Sequence, residues 1–494
     1  MYSLGYDIGS SLVKGAIINI ETGGLAAGGF YPQTEMDIIS PSPGFAEQNP
    51  DTWWNNLKIL TKKLLAENNI DPSLIKCIGI SYQMHGLVLT DKENNLLGNS
   101  IIWCDSRAVD IGNKALKDLG EKYCLGSLLN SPGNFTASKL KWVKDNEPEK
   151  YNKINKIMLP GDYIAFKLTG EVVTSVPGLS EGIFWDFKEN RVSSKVIKYF
   201  GFNSSLLPEI KPVFSVQGVL TEESAQALGL IKGIPVSYRA GDQPNNAFSL
   251  NVLNPGETAA TAGTSGVLYS VTDKYVFDSK SRVNGFAHVN HSAENKRIGI
   301  LLCINGTGIL NSWVRKHFAG KISYEEINSI AGTSEPGSKG ISILPFGNGA
   351  ERILRNKNMG SHILGVDFNR HTDADIFRAG QEGIAFSFKY GFEIMRSMGI
   401  DTGVIRANSA NMFLSNVFAQ SLADITGAKI ELYNSDGAQG AARGAAVGAG
   451  FYKSLAEAFG NLKIVNEIYP IAPHREIIAD AYGLWLGRLN KFTE

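Results

Sequence analysis

Two aspartates in this chain follow apolar segments, and each lies beside a turn that contains glycine. Asp242 stands in Gly241-Asp242-Gln243, after the apolar Ile234-Pro235-Val236. A carboxylate there can accept the proton of a substrate hydroxyl as that hydroxyl attacks a phosphoryl group. Asp7 stands at the matching point of the first half, and a carboxylate near a phosphate-binding loop commonly serves Mg²⁺ directly or through water. The alternative for both residues is an aspartate that closes a turn.

Two turns rich in glycine and hydroxyl residues lie close to these aspartates. Gly9-Ser10-Ser11 follows Asp7, and Gly263-Thr264-Ser265-Gly266 comes after Asp242 in the second half. Such turns aim backbone N–H groups and hydroxyls at one point, which suits the acceptor oxygens of a phosphate. A single turn of this kind is most often only a hairpin turn, but the pair predicts a clamp for one polyphosphate. Neither turn has the GxxxxGK[ST] or GxGxxG pattern, so neither a P-loop nor a dinucleotide fold is expected.

Polar and aromatic residues follow two further apolar segments. Gln83-Met84-His85-Gly86 comes after the strand-like Ile78–Ser81, at a strand end of the kind where open α/β sheets place their ligand sites. Trp103 offers a flat ring for the C–H face of a sugar, and Asp105 offers a carboxylate for sugar hydroxyls. A structural histidine and a core tryptophan are the alternatives at these positions.

Hydrophobic patterning indicates which elements carry these residues. Leu4–Ile8 and Val13–Ile18 are predicted to form a hairpin, and the apolar residues after Asp51 recur at helical spacing. Asp51 is predicted to cap that helix. Residues 75–81 read as a short buried strand. This alternation of strand and helix predicts an α/β architecture.

The second half of the chain repeats the parts of the first. Residues 257–267 again read as strand, glycine and hydroxyl turn, strand. We therefore expect two similar domains facing one another across a cleft, residues 1–239 and residues 240–494. Alanine and glycine dominate residues 437–448, and small residues at such spacing let helices pack closely.

Composition excludes several classes of partner. Lys and Arg total 48 and Asp and Glu total 48, so no net charge attracts nucleic acid or an anionic membrane. The four cysteines form no CxxC pair, and His288 and His291 lack a third ligand, so neither a disulfide framework nor a metal cluster is expected. No basic and apolar leader and no run of about 20 apolar residues occurs. The cytoplasm is the predicted compartment.

Taken in order, these motifs resemble those of the FGGY family of carbohydrate kinases, and within it most resemble those of the xylulokinases. The subgroup rests chiefly on Gln83-Met84-His85-Gly86, since the related glycerol kinases have an Arg-Glu pair at the positions of Met84 and His85. The resemblance covers nearly the full length, through Asp7–Lys14, Glu47–Pro50, Trp53-Trp54, Gln83–Gly86, Trp103–Arg107, Phe135–Trp142, Leu159–Tyr163, Gly241–Gln243, Gly263–Gly266 and Gly349–Arg352.

The resemblance implies two actin-like (ribonuclease H-like) domains that bind the sugar mainly on the N-terminal side and ATP mainly on the C-terminal side. It places Asp242 as the catalytic base, with Asp7 and Asp242 near Mg²⁺. The implied reaction is ATP-dependent phosphorylation of a sugar hydroxyl, most closely that of D-xylulose, and a homodimer stays open as its assembly. The matching positions are Met84, His85, Trp103, Asp105 and Gln243 for the sugar, and Ser10, Ser11, Lys14, Gly263, Thr264, Ala407 and Asn411 for the phosphates and nucleotide.

The chain departs from the family pattern at its nucleotide segment. Arg406-Ala407-Asn408 stands where the family usually has consecutive glycines, and Ala407 adds a Cβ where a glycine lets the backbone approach a nucleotide. Cys104 replaces a usual asparagine beside the sugar. Three other readings therefore stay open: a kinase for another ketose, polyol or sugar acid, a changed nucleotide preference, and a non-catalytic sugar or nucleotide sensor of the same fold. Retention of both Asp7 and Asp242 argues against the sensor.

Overall fold

Two large β-sheets, one in each half of the chain, organise the protein. The computed structural model describes residues 1–493. In spatial order, the first sheet consists of Gly218–Val219, Pro235–Gly241, Ile75–Tyr82, Tyr2–Ile8, Val13–Asn19 and Leu25–Tyr31. The second sheet consists of Asn284–Ala287, Ile298–Ile304, Gly266–Thr272, Glu257–Ala262, Val404–Asn408, Lys429–Tyr433 and Ile464–Ile468.

The two sheets share one topology. Strand Tyr2–Ile8 pairs antiparallel with the other strand of its hairpin and parallel with Ile75–Tyr82. Strand Glu257–Ala262 does the same with its own hairpin partner and with Val404–Asn408. The predicted α/β fold of two similar domains is therefore confirmed, together with both predicted hairpins.

Helices connect and cover the strands. Those of the first half are Pro50–Glu67, Val109–Leu119, Glu121–Ser127, Thr136–Asn146, Pro148–Lys153, Pro160–Thr169, Val176–Glu181, Ser194–Phe200, Glu222–Leu228 and Asp242–Ser249. Those of the second half are Gly308–Phe318, Tyr324–Gly332, Asp373–Ser397, Asn416–Thr426, Gly437–Gly448, Leu455–Phe459 and Ala472–Thr493. Among these helices none is both long enough and apolar enough to cross a membrane.

The first long helix, Pro50–Glu67, shows how local sequence sets an element. It buries Trp53 and a row of leucines against the first sheet, as its apolar spacing predicts. The predicted cap is wrong by two residues. Asn49 caps the helix, because its side chain accepts the backbone N–H of Asp51 at 2.9 Å. Asp51 lies inside the first turn, where its negative charge interacts favourably with the positive end of the helix dipole.

The alanine-rich helix Gly437–Gly448 links the two halves. It follows a strand of the second sheet but packs on the first sheet. A Cβ placed on Gly5 would lie 2.0 Å from the carbonyl oxygen of Ala438, and one on Gly79 would lie 2.0 Å from that of Ala441. The small residues therefore serve contact between a helix and a sheet. Strand Pro235–Gly241 lies in the first sheet and spans the predicted division at residue 240, which stays a prediction.

Candidate active site

Three parallel strands of the first sheet end at one edge and bring the predicted residues together. Asp7 lies near the end of Tyr2–Ile8, Gln83–Gly86 follows Ile75–Tyr82, and Asp242 follows Pro235–Gly241. Ile8 and Gly241 both lie opposite Tyr82 in the strand register. Residues that are far apart in the sequence thus meet at the carboxyl edge of one sheet.

Asp242 has the surroundings of a general base. It is the first residue of helix Asp242–Ser249 and is partly exposed. Burial raises the pKa of Asp242 to about 7, the charge of Asp7 adds to this rise, and hydrogen bonds from Gln243 oppose it. A carboxylate with a pKa near neutrality can take up a proton during the reaction and release it afterwards.

Asp7 lies beside the start of the alanine-rich helix. Its Oδ1 accepts a hydrogen bond from the Ser81 hydroxyl at 2.7 Å, and a Cβ placed on Gly437 would lie 2.5 Å from its Oδ2. Burial raises the pKa of Asp7, while the Ser81 hydroxyl and the charge of Lys14 lower it. Lys14 is exposed and faces Asp7 across the hairpin. Over residues 1–493, His, Cys, Asp and Glu nowhere form a group of three that could hold a metal ion, so protein carboxylates alone do not complete a metal site here.

His85 presents a neutral imidazole beside these carboxylates. Burial lowers the pKa of His85 to about 3, and the nearby positive charge of Lys139 contributes. Its Nδ1 lies 3.1 Å from the carbonyl oxygen of Glu181. Because a carbonyl can only accept, Nδ1 carries the proton and Nε2 is left as a hydrogen-bond acceptor. The ring packs edge to face on Phe135, with 4.7 Å between ring centroids.

The other predicted sugar residues have different surroundings. Met84 is buried against Gly241, since a Cβ on that glycine would lie 2.6 Å from Met84 Cγ. Gln243 is partly exposed next to Asp242. Trp103 is 53% exposed, and its indole N–H donates to the Ser10 hydroxyl at 3.3 Å. The exposed ring is free to stack on a sugar.

Asp105 is fully buried and is engaged by protein donors. Its Oδ2 accepts the backbone N–H of Ala46 at 2.7 Å and the Nε of Arg107 at 2.9 Å. Its Oδ1 accepts the backbone N–H of Arg107 at 2.9 Å. Asp105 therefore fixes the segment that carries Trp103 and has no exposed surface with which to bind a sugar.

The second domain contributes an open cavity of about 960 Å³. The predicted residues Gly263, Thr264 and Asn411 line it, together with the start of helix Gly308–Phe318 and part of helix Tyr324–Gly332. The N–H groups of Gly308 and Ile309 donate to the carbonyls of Gly263 and Thr264 at 2.8 and 3.1 Å. This bonding fixes the turn that faces the cavity.

The other four residues predicted for the phosphates and nucleotide lie away from that cavity lining: Ser10, Ser11, Lys14 and Ala407. Ala407 is fully buried in the middle of strand Val404–Asn408, so its Cβ lies in the hydrophobic core. Ser10 and Ser11 belong to the hairpin turn of the first sheet. The carbonyl oxygen of Ser10 accepts a hydrogen bond from the Gln48 side-chain amide at 2.6 Å. That turn belongs to the first sheet and contacts Trp103 through the Ser10 hydroxyl.

The sequence analysis assigned no role to several buried charged residues around the site, although Lys139 and Glu351 lie in segments that carry the family resemblance. Glu351 uses its two carboxylate oxygens to accept the N–H groups of Asn305 and Gly306 at 3.0 and 2.9 Å. Lys139 donates to the carbonyl oxygen of His85, and the Glu181 carboxylate accepts the backbone N–H of His85. A charged residue inside an otherwise apolar segment is the sequence signal that points to such positions.

Known proteins resemble the chain over nearly its whole length. A xylulose kinase of Haemophilus influenzae is 28% identical and covers 99% of both chains. A probable L-xylulose kinase of the same organism is 29% identical over 88% of this chain and 87% of its own. The crystal structure of a ligand-bound xylulose kinase from Lactobacillus acidophilus superposes with a TM-score of 0.89 at 21% identity, covering 99% of this chain and 98% of that one.

Two family models match consecutive parts of the chain. The N-terminal domain of the FGGY family of carbohydrate kinases matches residues 2–249, and the C-terminal domain of the same family matches residues 258–452. Together they account for most of the sequence. They include Asp7, Asp242 and the first sheet, and the second sheet apart from Glu257 and strand Ile464–Ile468. The chain is a carbohydrate kinase and belongs to the FGGY family.

Proposed function

We propose that this enzyme transfers the γ-phosphoryl group of ATP to the terminal hydroxyl of D-xylulose. The observation that carries the proposal is the geometry of one sheet edge: Asp242 follows strand Pro235–Gly241 and His85 follows the neighbouring parallel strand Ile75–Tyr82, whose last residues pair in the register. The similarity to xylulose kinases over nearly the full length supports this choice of sugar.

In the proposed reaction, the hydroxyl oxygen of the sugar attacks the γ-phosphorus of ATP. The hydroxyl proton passes to the carboxylate of Asp242 as the new O–P bond forms. The bond between the γ-phosphorus and its bridging oxygen breaks, and ADP leaves with the bonding electrons. Asp242 then returns its proton to solvent, which the partial exposure of this side chain allows.

Asp7 and Asp242 have the donor chemistry that suits Mg²⁺. This ion is usually held by one or two carboxylates together with waters and substrate phosphates, so the two aspartates need no third protein ligand. When bound, the metal neutralises charge on the transferred phosphoryl group. Ser81 orients the Asp7 carboxylate, and Lys14 adds a positive charge on the phosphate side.

We assign the nucleotide to the cavity of the second domain. Gly263 and Thr264 supply backbone N–H groups and a hydroxyl for the phosphates, and Asn411 supplies an amide. Ser10 and Ser11 approach the transferred group from the first turn. In this assignment Ala407 has a structural role, as a buried core residue of strand Val404–Asn408.

On the sugar side, the exposed Trp103 ring covers the C–H face of the substrate, and His85 Nε2 accepts a substrate hydroxyl. Met84 and Gln243 complete the wall of the pocket. A second ketopentose, L-xylulose, is the alternative substrate, and the similarity to a probable L-xylulose kinase favours it. The four unpaired cysteines support a reducing cytoplasmic location.

A coupled assay of ADP release over pentuloses, hexuloses, polyols and aldonates tests the proposal. We expect the highest kcat/KM for D-xylulose, with L-xylulose as the competing outcome. Asp242→Asn is the control, since it keeps the shape of the side chain but cannot accept the proton. ADP release that is independent of every sugar, or absent with all of them, contradicts the proposed function.

A further inference from the structure

The backbone of His85 is held in an uncommon conformation. Its φ of +62° lies in the left-handed region, which residues other than glycine seldom adopt. Such a conformation persists only when surrounding contacts determine it. Three contacts do so, and they come from two buried residues that the proposed reaction does not use.

Lys139 supplies the first contact. This lysine on helix Thr136–Asn146 is fully buried, and its ammonium donates to the carbonyl oxygen of His85 at 2.9 Å. The same ammonium donates to the carbonyl oxygen of Ile102 at 2.8 Å, immediately before Trp103. One buried cation therefore ties together the two loops that form the sugar side.

Glu181 supplies the other two contacts. It ends helix Val176–Glu181 and is 1% exposed. Its Oε1 accepts the backbone N–H of His85 at 3.3 Å, and its carbonyl oxygen lies 3.1 Å from His85 Nδ1. A Cβ placed on Gly241 would lie 2.6 Å from Glu181 Oε2. Glu181 thus touches both the His85 loop and the strand that ends at Asp242.

We infer that Lys139 and Glu181 are positioning residues that hold His85 in its left-handed conformation with Nε2 directed to a hydroxyl of the substrate. The inference rests on the proposed function, because the hydroxyl belongs to the proposed sugar. Neither residue touches the reacting atoms in this assignment. Their effect is on sugar binding, since nothing in these contacts involves the nucleotide cavity.

Steady-state kinetics of Lys139→Met test the first half of the inference. The variant keeps the length of the side chain but loses both hydrogen bonds. We expect the KM for the sugar to rise about fivefold and the KM for ATP to stay within about twofold. Lys141→Met on the same helix is the matched control, because Lys141 is partly exposed and its ammonium pairs with Asp145. An equal rise in both KM values with Lys139→Met would overturn the inference.

Two substitutions of Glu181 test the second half and cover the case in which Lys139→Met does not fold. Glu181→Gln keeps an acceptor oxygen for the His85 N–H, whereas Glu181→Leu removes it. We expect Glu181→Gln to keep the wild-type KM for the sugar within about twofold and Glu181→Leu to raise it about fivefold. Equal effects of the two variants on the KM for the sugar contradict the inference.

A ¹⁵N NMR spectrum of histidine-labelled protein gives a readout that does not need turnover. The His85 signals are assigned by their loss in His85→Gln. We expect the wild type to show a protonated Nδ1 and an unprotonated Nε2. Glu181→Leu keeps the backbone carbonyl that faces Nδ1 but loses the Oε1 contact to the His85 N–H, so the appearance of the second tautomer in this variant reports that the His85 backbone has moved away from that carbonyl. If the wild type phosphorylates no sugar but shows this single tautomer, the proposed function fails while the clamp on His85 stands. A mixture of tautomers in the wild type means that His85 is not clamped.

Discussion

On the side that we assign to the sugar, the proposed substrate-facing groups are side chains, and buried charged residues hold their loops. On the side that we assign to the nucleotide, the proposed groups are mainly a backbone turn and short polar side chains around an open cavity of about 960 Å³. Lys139 and Glu181 support the first side, and the buried ion pair of Arg239 with Asp162, at 3.0 Å, lies beneath the same region. The second side has Glu351, which bonds only to backbone N–H groups.

This difference matches what each side has to recognise. Sugars differ from one another in the positions of their hydroxyls, so discrimination needs donors and acceptors that cannot move. A phosphate offers several equivalent acceptor oxygens, and backbone N–H groups satisfy them without long side chains. We therefore expect substitutions on the two sides to change different kinetic constants.

Removing the base at the junction of the two sides should have the largest effect. Asp242→Asn is expected to lower kcat by roughly 10²–10⁴, the usual cost of losing a general base. Sugar binding should persist, because asparagine has the same shape. Rapid-quench measurement of phosphoryl transfer checks the rate, and calorimetry checks sugar binding. A variant that keeps more than about half of the wild-type kcat would show that another group takes the proton.

His85→Ala should weaken sugar binding without changing nucleotide binding. We expect the KM for the sugar to rise about tenfold, since an acceptor for a substrate hydroxyl is lost. The KM for ATP should stay nearly unchanged, because His85 does not line the nucleotide cavity. The two constants are measured in the same ADP-release assay. A parallel rise in both would point to a defect in folding or in closure of the cleft.

The pH dependence of kcat/KM for the sugar should report Asp242. The base acts when it is ionised, so kcat/KM should fall about tenfold per pH unit below its pKa of about 7 and level off above it. Asp7→Asn removes a negative charge that raises this pKa. In that variant, the fall in the residual kcat/KM on the acid side should therefore begin at a lower pH. If the fall begins at the same pH as in the wild type, burial alone sets the pKa of Asp242.

Glu351→Gln should disturb the nucleotide side alone. Glutamine keeps one acceptor oxygen but turns an N–H₂ group toward a backbone N–H, so one of the two hydrogen bonds is lost at a cost of about 1 kcal/mol. The loop that Glu351 holds leads into helix Gly308–Phe318, which bonds the turn at Gly263 and Thr264. We expect the KM for ATP to rise about fivefold with the KM for the sugar unchanged. Glu335→Gln is the matched control, because Glu335 is exposed and does not line the cavity.

Ala407→Gly should have the smallest effect on catalysis. Its Cβ is buried in the hydrophobic core and does not line the cavity, so ATP affinity should change by less than about twofold. The loss of a buried methyl group and the added backbone freedom should lower stability by about 1–2 kcal/mol. Calorimetric titration with an ATP analogue and urea denaturation measure the two effects. A clear gain in ATP affinity would mean that the Cβ does narrow the nucleotide site.

The sequence predicts those parts of the site that local pattern determines. Asp7 and Asp242 end apolar strands, and Gly9 and Gly263 open turns, so strand and turn rules suffice to locate them. Asp105 is predicted from its carboxylate and from the resemblance, and Ala407 from the resemblance alone; the burial of both depends on neighbours distant in the chain. The cap of helix Pro50–Glu67 was misplaced because Asn49 and Asp51 are both good caps, and only the backbone geometry distinguishes them.

The supports beneath the sugar side lie beyond such rules. Lys139 is 54 residues away from His85 in the sequence, and Glu181 is 96 residues away. A lysine on a helix and a glutamate at a helix end ordinarily face solvent. Only the packing of these helices under the sheet edge turns them into partners of one histidine.

During synthesis, the first sheet stays uncovered on one face until the ribosome has released the helix Gly437–Gly448. Gly5 and Gly79 lie on that face. Because glycine has no side chain, the nascent sheet exposes backbone atoms at these two positions. A fragment that ends at residue 249, where the first family domain ends, lacks the helix altogether and should aggregate or bind chaperones. The first half of this kinase is therefore completed by a helix of its own C-terminal half.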